Sequence, residues 1–334
     1  MPLDQSVIGR ERLCVAGGPA EPVVPAELIL EAIGGDTEPF RALLPVGYEA
    51  GAAAYRQAAS TLHVDDLTRH YTDGLRFFRQ QFVPHLKEVL RELTGGVWDF
   101  RDFEAYAAGS DVDFMTHLVS AVTAKSQVTL YPGDWYGFRA GVAHAQNIAW
   151  EAEGGGALAC LCVPSVRNGH VTPEMLRFLS NAGACLLNIN LLPTLGPAER
   201  RQVALDLAPV LEKSIVSVSF SRGFGLTGSQ LGVALVHRDH PFRHAYATQW
   251  NWLTYFFNGI AARAFMVLDI EALSQVDASR RHWVSSWLRR NGLPAVETGS
   301  YYVKTFRTSG TAPAGLQALH RDGIVRLCFK PPIS

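Results

Sequence analysis

The sequence predicts an α/β protein in which a mostly parallel sheet is covered by helices and joined to a smaller α+β unit built from both ends of the chain. Two observations predict it. From about residue 110 to residue 237, apolar runs of strand length alternate with amphipathic stretches at helical spacing. The runs are largely apolar, as strands of a mostly parallel sheet covered by helices are.

The elements follow in order. The first sixty or so residues carry Gly and Pro punctuation (AGGPAEPVVPAE, AIGGDTEP) and read as irregular apart from a short helix at AELILEAI. Helical spacing from Leu75 to Leu93, interrupted by Pro84, predicts a kinked helix, then a turn at Thr94-Gly95-Gly96 and a strand. Next come helix FMTHLVSAVTA, strand QVTLY, helix GFRAGVAHA and strands NIAWEA and ALACLCVP. Helix TPEMLRFLSNA, strand ACLLNIN, helix PAERRQVALDLAPVLE and strands SIVSVSFS and QLGVALVH complete the alternation. Between Pro241 and Asn291, stretches rich in Trp and Phe predict a long helical connector, and SYYVKTF and GIVRLCF supply strands of the smaller unit. The expected division is 1–65 (N-terminal segment and part of the small domain), 66–255 (large α/β domain with a cleft) and 256–334 (connector and C-terminal small domain).

With 334 residues, 48% of them hydrophobic and 18% charged, the chain is long enough to bury a sizeable core, which excludes disorder. Thirty basic against 31 acidic residues leave no basic footprint for nucleic acid, and no run of 18 apolar residues offers a membrane span. The expected partner is a small molecule or another protein. Five cysteines, an odd number, sit mostly in apolar runs, and the opening MPLDQSVIGRER has no signal-peptide core, so a reduced, cytoplasmic protein is expected. Cys160 and Cys162 fall on one face of a strand and read as core. Asp111, Asp113, His117 and His144 lie close in the sequence, with Asp113 and His117 four apart on a helix. Such pairs are common on solvated helices, and no metal is expected.

Residues Ser217 to Asp239, SVSFSRGFGLTGSQLGVALVHRD, join a strand end, serines and a Gly-rich turn, a grammar that suits a phosphate. This stretch resembles the S-x-S-K-x-x-x-x-x-G-x-R-x-G segment of class I/II aminotransferases, the fold-type I enzymes that use pyridoxal phosphate (PLP), with Ser219, Ser221, Gly228 and Gly232 in register. Other blocks fall in the family's order. Tyr71 to Gly74 with Arg79 resembles the Y-x-x-x-G…R segment, Gly109-Ser110-Asp111 the phosphate-holding loop, and Trp135 the aromatic that stacks on the cofactor ring. VPSVRNGHVTPEMLRFL resembles the N-P-x-N-P-T-G segment, and Arg326 in Val325-Arg326-Leu327 the arginine that holds a substrate carboxylate. The resemblance covers roughly residues 65 to 334 and implies an aminotransferase-like large domain, a small domain and a homodimer in which Tyr71 reaches the neighbouring subunit. The aromatic group Trp250, Trp252, Tyr255, Phe256 and Phe257 suits such an interface.

The departures carry the functional argument. Where the family has its Schiff-base lysine this chain has Arg222, whose guanidinium stays charged and forms no aldimine. Gln230 stands for the arginine that pairs with the cofactor phosphate, and Asn188 for the aspartate that keeps the pyridinium protonated. Val166 and Leu191 stand for the asparagine and tyrosine that contact the ring oxygen. Of the five lysines, the nearest alternative is Lys213, about 30 Å away at the far end of the same strand.

Three readings follow. The first is a PLP-independent enzyme of amino-acid or specialised metabolism, acting on an amino-acid-derived or carboxylate-bearing small molecule. Arg222, Asp111 and Asn188 would be its catalytic groups, and Arg326, Trp135, Tyr136, Tyr71 and Asn190 its substrate contacts. The second keeps PLP noncovalently on Gly109, Ser110, Ser219 and Ser221, a vestigial phosphate cradle, with His117 or His144 as base. The third is a non-catalytic homologue partnering an active enzyme, for which the old cofactor site should be filled by apolar side chains.

Overall fold

A computed structural model of the chain describes residues 21–65, 75–142, 144–244, 258–309 and 314–332. Eleven strands are seen among them. Those of the alternating region, β2 (Phe103–Ala108), β3 (Val128–Leu130), β4 (Ile148–Trp150), β5 (Leu158–Cys162), β6 (Ala184–Asn188), β7 (Ser214–Ser219) and β8 (Gly232–His237), form one sheet in the order β2-β8-β7-β6-β5-β3-β4. All of its pairings are parallel except the two made by β8. Every residue of β5, β6 and β7 is buried, which is why β5 and β6 read as almost continuous apolar runs, while β7 buries Ser214, Ser217 and Ser219 as well.

A second sheet, β1-β9-β11-β10, is assembled from β1 (Val23–Val24), β9 (Val303–Thr308), β10 (His320–Arg321) and β11 (Ile324–Cys328). Its strands come from opposite ends of the described chain, the α+β arrangement expected from the sequence.

The helices α1 (Ala26–Ala32), α2 (Glu49–Ser60), α3 (Val83–Leu93), α4 (Asp111–Thr123), α5 (Gly137–Ala140), α6 (Pro173–Ser180), α7 (Pro197–Leu207), α8 (Gly259–Met266) and α9 (Ile270–Arg290) pack around these sheets. Several depart from the sequence expectation. The stretch EAGAAAYRQAAS forms a full helix, α2, inside a region that reads as irregular. The irregularity before α3 is a π-helical turn, Phe78–Phe82. Pro84 sits in the first turn of α3, where its missing N–H is not needed. The strand expected straight after the Thr94 turn begins only at Phe103, because Val97–Phe100 is spent on packing. Trp98 there is fully buried, with its indole N–H donating to the Ala204 carbonyl at 3.0 Å. GFRAGVAHA yields one turn, α5. The connector is broken at Val267–Asp269, where Asp269 caps α9 by accepting from the Ala272 N–H at 2.9 Å. The aromatic group from Trp250 to Phe257 lies outside the described residues.

A buried polar knot ties the segment before α2 to α9 and the second sheet. The Tyr48 and Tyr301 hydroxyls both donate to Asp277 Oδ1, at 2.6 and 2.8 Å, and the Tyr302 hydroxyl accepts from the Val46 N–H at 3.2 Å. Arg280 donates to the Gly47 carbonyl and stacks 4.0 Å from the centre of the Tyr48 ring.

Gly232 opens β8 at the point where the N-terminus of α4 crosses it. A Cβ there would strike the backbone of Ser110 and Asp111. Gly232→Ala is expected to cost about 1–3 kcal/mol, read from the urea midpoint.

His240 follows β8, buried, with Nε2–H donating to the Lys213 carbonyl at 3.1 Å and Nδ1 accepting from the Phe242 N–H at 3.1 Å. Burial pushes its pKa down to about 4, so the folded protein holds it neutral. The unfolded chain takes up this proton below about pH 6.5, so the stabilisation is complete above that value and drains away as pH falls towards 4. The stability advantage of the wild type over His240→Gln should shrink over that interval in parallel urea titrations.

Candidate active site

Parallel strands deliver their carboxyl ends to one side of a sheet, and the loops leaving them line a shared crevice. Here the loops after β2, β3, β5, β6 and β7 carry Asp111, Trp135, Cys162 with Val166, Asn188 with Asn190, and Arg222 to one cavity of about 450 Å³. The second sheet closes it with Arg321 and Arg326, and the segment after α1 adds Arg41 and Leu43.

Seven residues singled out in the sequence therefore meet: Arg222, Asp111, Asn188, Arg326, Trp135, Tyr136 and Asn190. Val166 and Leu191 line the cavity too. Gly109, Ser110, Ser219 and Ser221 do not. The Ser110 hydroxyl caps its own helix, accepting from the Asp113 N–H at 3.2 Å, and the Ser219 and Ser221 hydroxyls bond to each other at 3.3 Å. Gln230 is exposed. Tyr71 lies outside the described residues.

At the inner end, Asn188 Nδ2 donates to Asp111 Oδ2 at 3.3 Å, and Asn188 Oδ1 accepts from the Asn190 N–H at 3.0 Å. Burial raises the Asp111 carboxyl above its ordinary pKa, while the nearby Arg222 guanidinium, the Val112 N–H and Asn188 pull it back. Arg222 reaches this position because Gly223 lets the chain run against the Asn190 carbonyl, to which the Gly223 N–H donates at 3.1 Å; a Cβ there would meet that oxygen and Pro193. Arg222 Nη2 donates to the Leu43 carbonyl at 3.2 Å, whereas its Nε is buried without a partner.

At the outer end, Arg326 donates to the Val166 carbonyl at 3.2 Å and Arg41 pairs with Glu38. Burial and the neighbouring Arg326 charge hold the Arg321 guanidinium below its usual pKa. The cavity thus has four guanidiniums against one lining carboxylate, a strong attraction for anions. Trp135 forms part of the wall and packs edge to face on Phe138 at 5.2 Å.

Arg41 and Arg321 are cavity residues that the sequence reading passes over. The sequence reading also passes over Asp134, which does not line the cavity but fixes its wall. Asp134 is buried and accepts from the Cys162 N–H at 2.7 Å, the Ser165 hydroxyl at 2.7 Å and the Val166 N–H at 2.9 Å. Burial lifts its pKa to about 6 against those donors. A DW pair in a turn-forming loop was the only available signal.

All five lysines lie within the described residues, and none lines the cavity. The amines of Lys87, Lys213 and Lys304 donate to the carbonyls of Phe103, of Ser180 and Ala182, and of Thr298, while Lys125 and Lys330 are exposed. Cys160, Cys162, Cys185 and Cys328 are free and buried, with Cys162 also touching the cavity; Cys14 lies outside the described residues. Among the described residues no three His, Cys, Asp or Glu side chains gather as a metal site would require. None of the described helices is long and apolar enough to cross a membrane.

This architecture is similar in fold to solved PLP-dependent aminotransferases and their relatives. Histidinol-phosphate aminotransferase from Sinorhizobium meliloti, in complex with pyridoxal-5'-phosphate, superposes with a TM-score of 0.55 at 17% identity, over 86% of this chain and 84% of that one. L,L-diaminopimelate aminotransferase from Chlamydomonas reinhardtii gives 0.61 at 13% identity over 90% of each chain. The PLP-bound C-S lyase from Staphylococcus hominis gives 0.59 at 12% identity, over 89% of this chain and 88% of that one. No family model and no curated protein matches the chain. At these identities the likeness establishes the fold.

Asp134→Ala strips one acceptor from three buried donors and is expected to destabilise the protein by about 3 kcal/mol or more in chemical denaturation.

Proposed function

We propose that the chain is a small-molecule enzyme that has kept the aminotransferase cleft and lost its Schiff-base chemistry, acting without covalent PLP on an amino-acid-derived or carboxylate-bearing substrate. The observation that carries this reading is the cavity's donor set: a guanidinium at the end of β7, a buried carboxylate beside it, and no amine. A covalently held PLP needs a lysine that can lose its proton, and a guanidinium cannot take that role. The aligned phosphate-side residues are neutral, Ser110 capping α4, Ser219 and Ser221 bonded to each other and Gln230 exposed, so none of them supplies a charge to pair with a phosphate.

In this reading Arg326 and Arg321 draw the substrate carboxylate, and Trp135 with Tyr136 forms the wall beside it. Asp111 is the group that exchanges a proton, its affinity raised by burial and restrained by Arg222. Arg222 supplies a fixed positive charge for negative charge that develops on the substrate, and Asn188 orients the Asp111 carboxylate. The open, polar cavity speaks against a non-catalytic homologue, which would be free to fill it. The cavity draws residues from each of the segments 1–65, 66–255 and 256–334, which suits an active site at the joint of the proposed domains. A cytoplasmic homodimer belongs to the same reading, and a sedimentation mass of one chain would remove the dimer.

A second reading, PLP bound without a covalent link, is favoured by the cationic, aromatic-walled cavity. Titration with PLP, followed by absorbance and by intact mass after borohydride reduction, separates the two. The first reading predicts neither a saturable new band nor added mass. A saturable band without added mass establishes noncovalent PLP, and a stoichiometric lysine adduct overturns both. Arg222→Lys is expected to leave transamination undetectable, because Asn188 and Gln230 remain; robust activity in that variant would count against the proposal.

A further inference from the structure

Three segments that line the first cavity also line a second one, of about 680 Å³, with residues a few positions away. The loop after β3 gives Trp135 and Tyr136 to the first and Tyr131 and Pro132 to the second. The loop after β5 gives Val166 to the first and Arg167 and Asn168 to the second, and the β10–β11 hairpin divides Arg321 from Asp322 in the same way. No residue lines both, so the two cavities are distinct.

The charged side chains of the second cavity answer one another. Glu21 is clamped between Arg167 Nε and Arg307 Nη2, each at 2.8 Å, and Glu174 pairs with Arg177, just outside the lining, at 3.3 Å. With Asp322, three carboxylates stand against three guanidiniums, which leaves no net charge to draw an ion of either sign.

The groups left unspent are uncharged. The half-buried His170 ring lies against Gly299, where a Cβ would strike its Cε1 and Nε2, and neither ring nitrogen has a hydrogen bond among the described residues. Burial and the nearby Lys304 charge push its pKa down to about 4, so the imidazole is neutral, with one nitrogen a donor and the other an acceptor. Asn168, 3% exposed, spends its Oδ1 on the His170 N–H at 3.0 Å and keeps its amide N–H groups without a partner among the described residues. Polar groups so far withdrawn from water ordinarily find partners, and a ligand can supply them. Tyr131, Pro132, Val171 and Pro173 add apolar wall around them.

We infer that the second cavity is a binding site for an uncharged molecule with a flat apolar body and a carboxamide-like group, the amide bonding to the His170 imidazole and the Asn168 side chain and the body lying against Tyr131, Pro132 and the start of α6. This site is independent of the reading proposed for the first cavity.

Ligand-observed NMR titration of the full chain with benzamide, benzoate and benzylamine tests it, because the three share one ring and differ in charge. Benzamide should bind with an affinity that His170→Phe, which keeps a ring against Gly299, and Asn168→Asp, which keeps the oxygen that accepts from the His170 N–H, each lower about tenfold or more. Arg326→Gln, in the first cavity, should leave benzamide binding unchanged. Benzoate and benzylamine should show no binding that depends on His170 at benzamide concentrations that saturate the site. In the wild type, benzamide should also shift the His170 imidazole resonances, a readout that needs no folded variant. The proposal is overturned if benzamide does not bind, if its binding depends on Arg326 and not on His170, or if either ion binds as tightly through His170. None of these outcomes bears on the PLP titration, which tests the first cavity alone.

Discussion

A guanidinium and a carboxylate that would each be expensive to bury alone face one cavity at the carboxyl ends of the central strands. Much of the surrounding structure serves this juxtaposition. Gly232 lets the first turn of α4 press onto β8 and brings Asp111 inward, and Gly223 lets the loop after β7 lie against Asn190 and carry Arg222 to meet it. Asn188 then holds the carboxylate from the neighbouring strand. Because the groups sit on strand ends and a helix start, their separation is set by the sheet.

The same arrangement illustrates that a fold alone does not fix a reaction. A covalent cofactor occupies such a crevice through a few contacts, and the backbone does not depend on them. Here the Ser110 hydroxyl caps α4, and the Ser219 and Ser221 hydroxyls pair with each other. Positive charge in this crevice comes from Arg41, Arg222, Arg321 and Arg326, contributed by three separate parts of the chain.

Much of this was legible in the sequence for a physical reason. Strands buried on both faces write largely apolar runs, so β5, β6 and β8 stood out, and residues at or just beyond the strand ends were the natural site candidates. The helix α2 was hidden because EAGAAAYRQAAS carries little apolar contrast and its packing face is made of Gly51, Ala54 and Ala58. Arg41 and Arg321 were hidden because an arginine-rich chain gives no sign of which guanidiniums will converge from distant segments. Asp134 was hidden because its role lies in three donors that only tertiary structure assembles. The serine and glycine grammar after β7 was legible too, and in the structure Ser219 and Ser221 bond to each other.

The segment after α1 borders the cavity at Arg41 and Leu43 and is pinned by the knot of Tyr48, Asp277, Tyr301 and Arg280. Near its start, the Arg41 carbonyl lies against the Cys328 thiol, 287 positions away. During synthesis this early segment must therefore wait for almost the last strand before its lasting neighbours exist. A ribosome-bound chain can have built much of the large sheet and still lack the Arg321 and Arg326 side of the cavity, so closure of the cavity follows arrival of β10 and β11 rather than folding of its central layer.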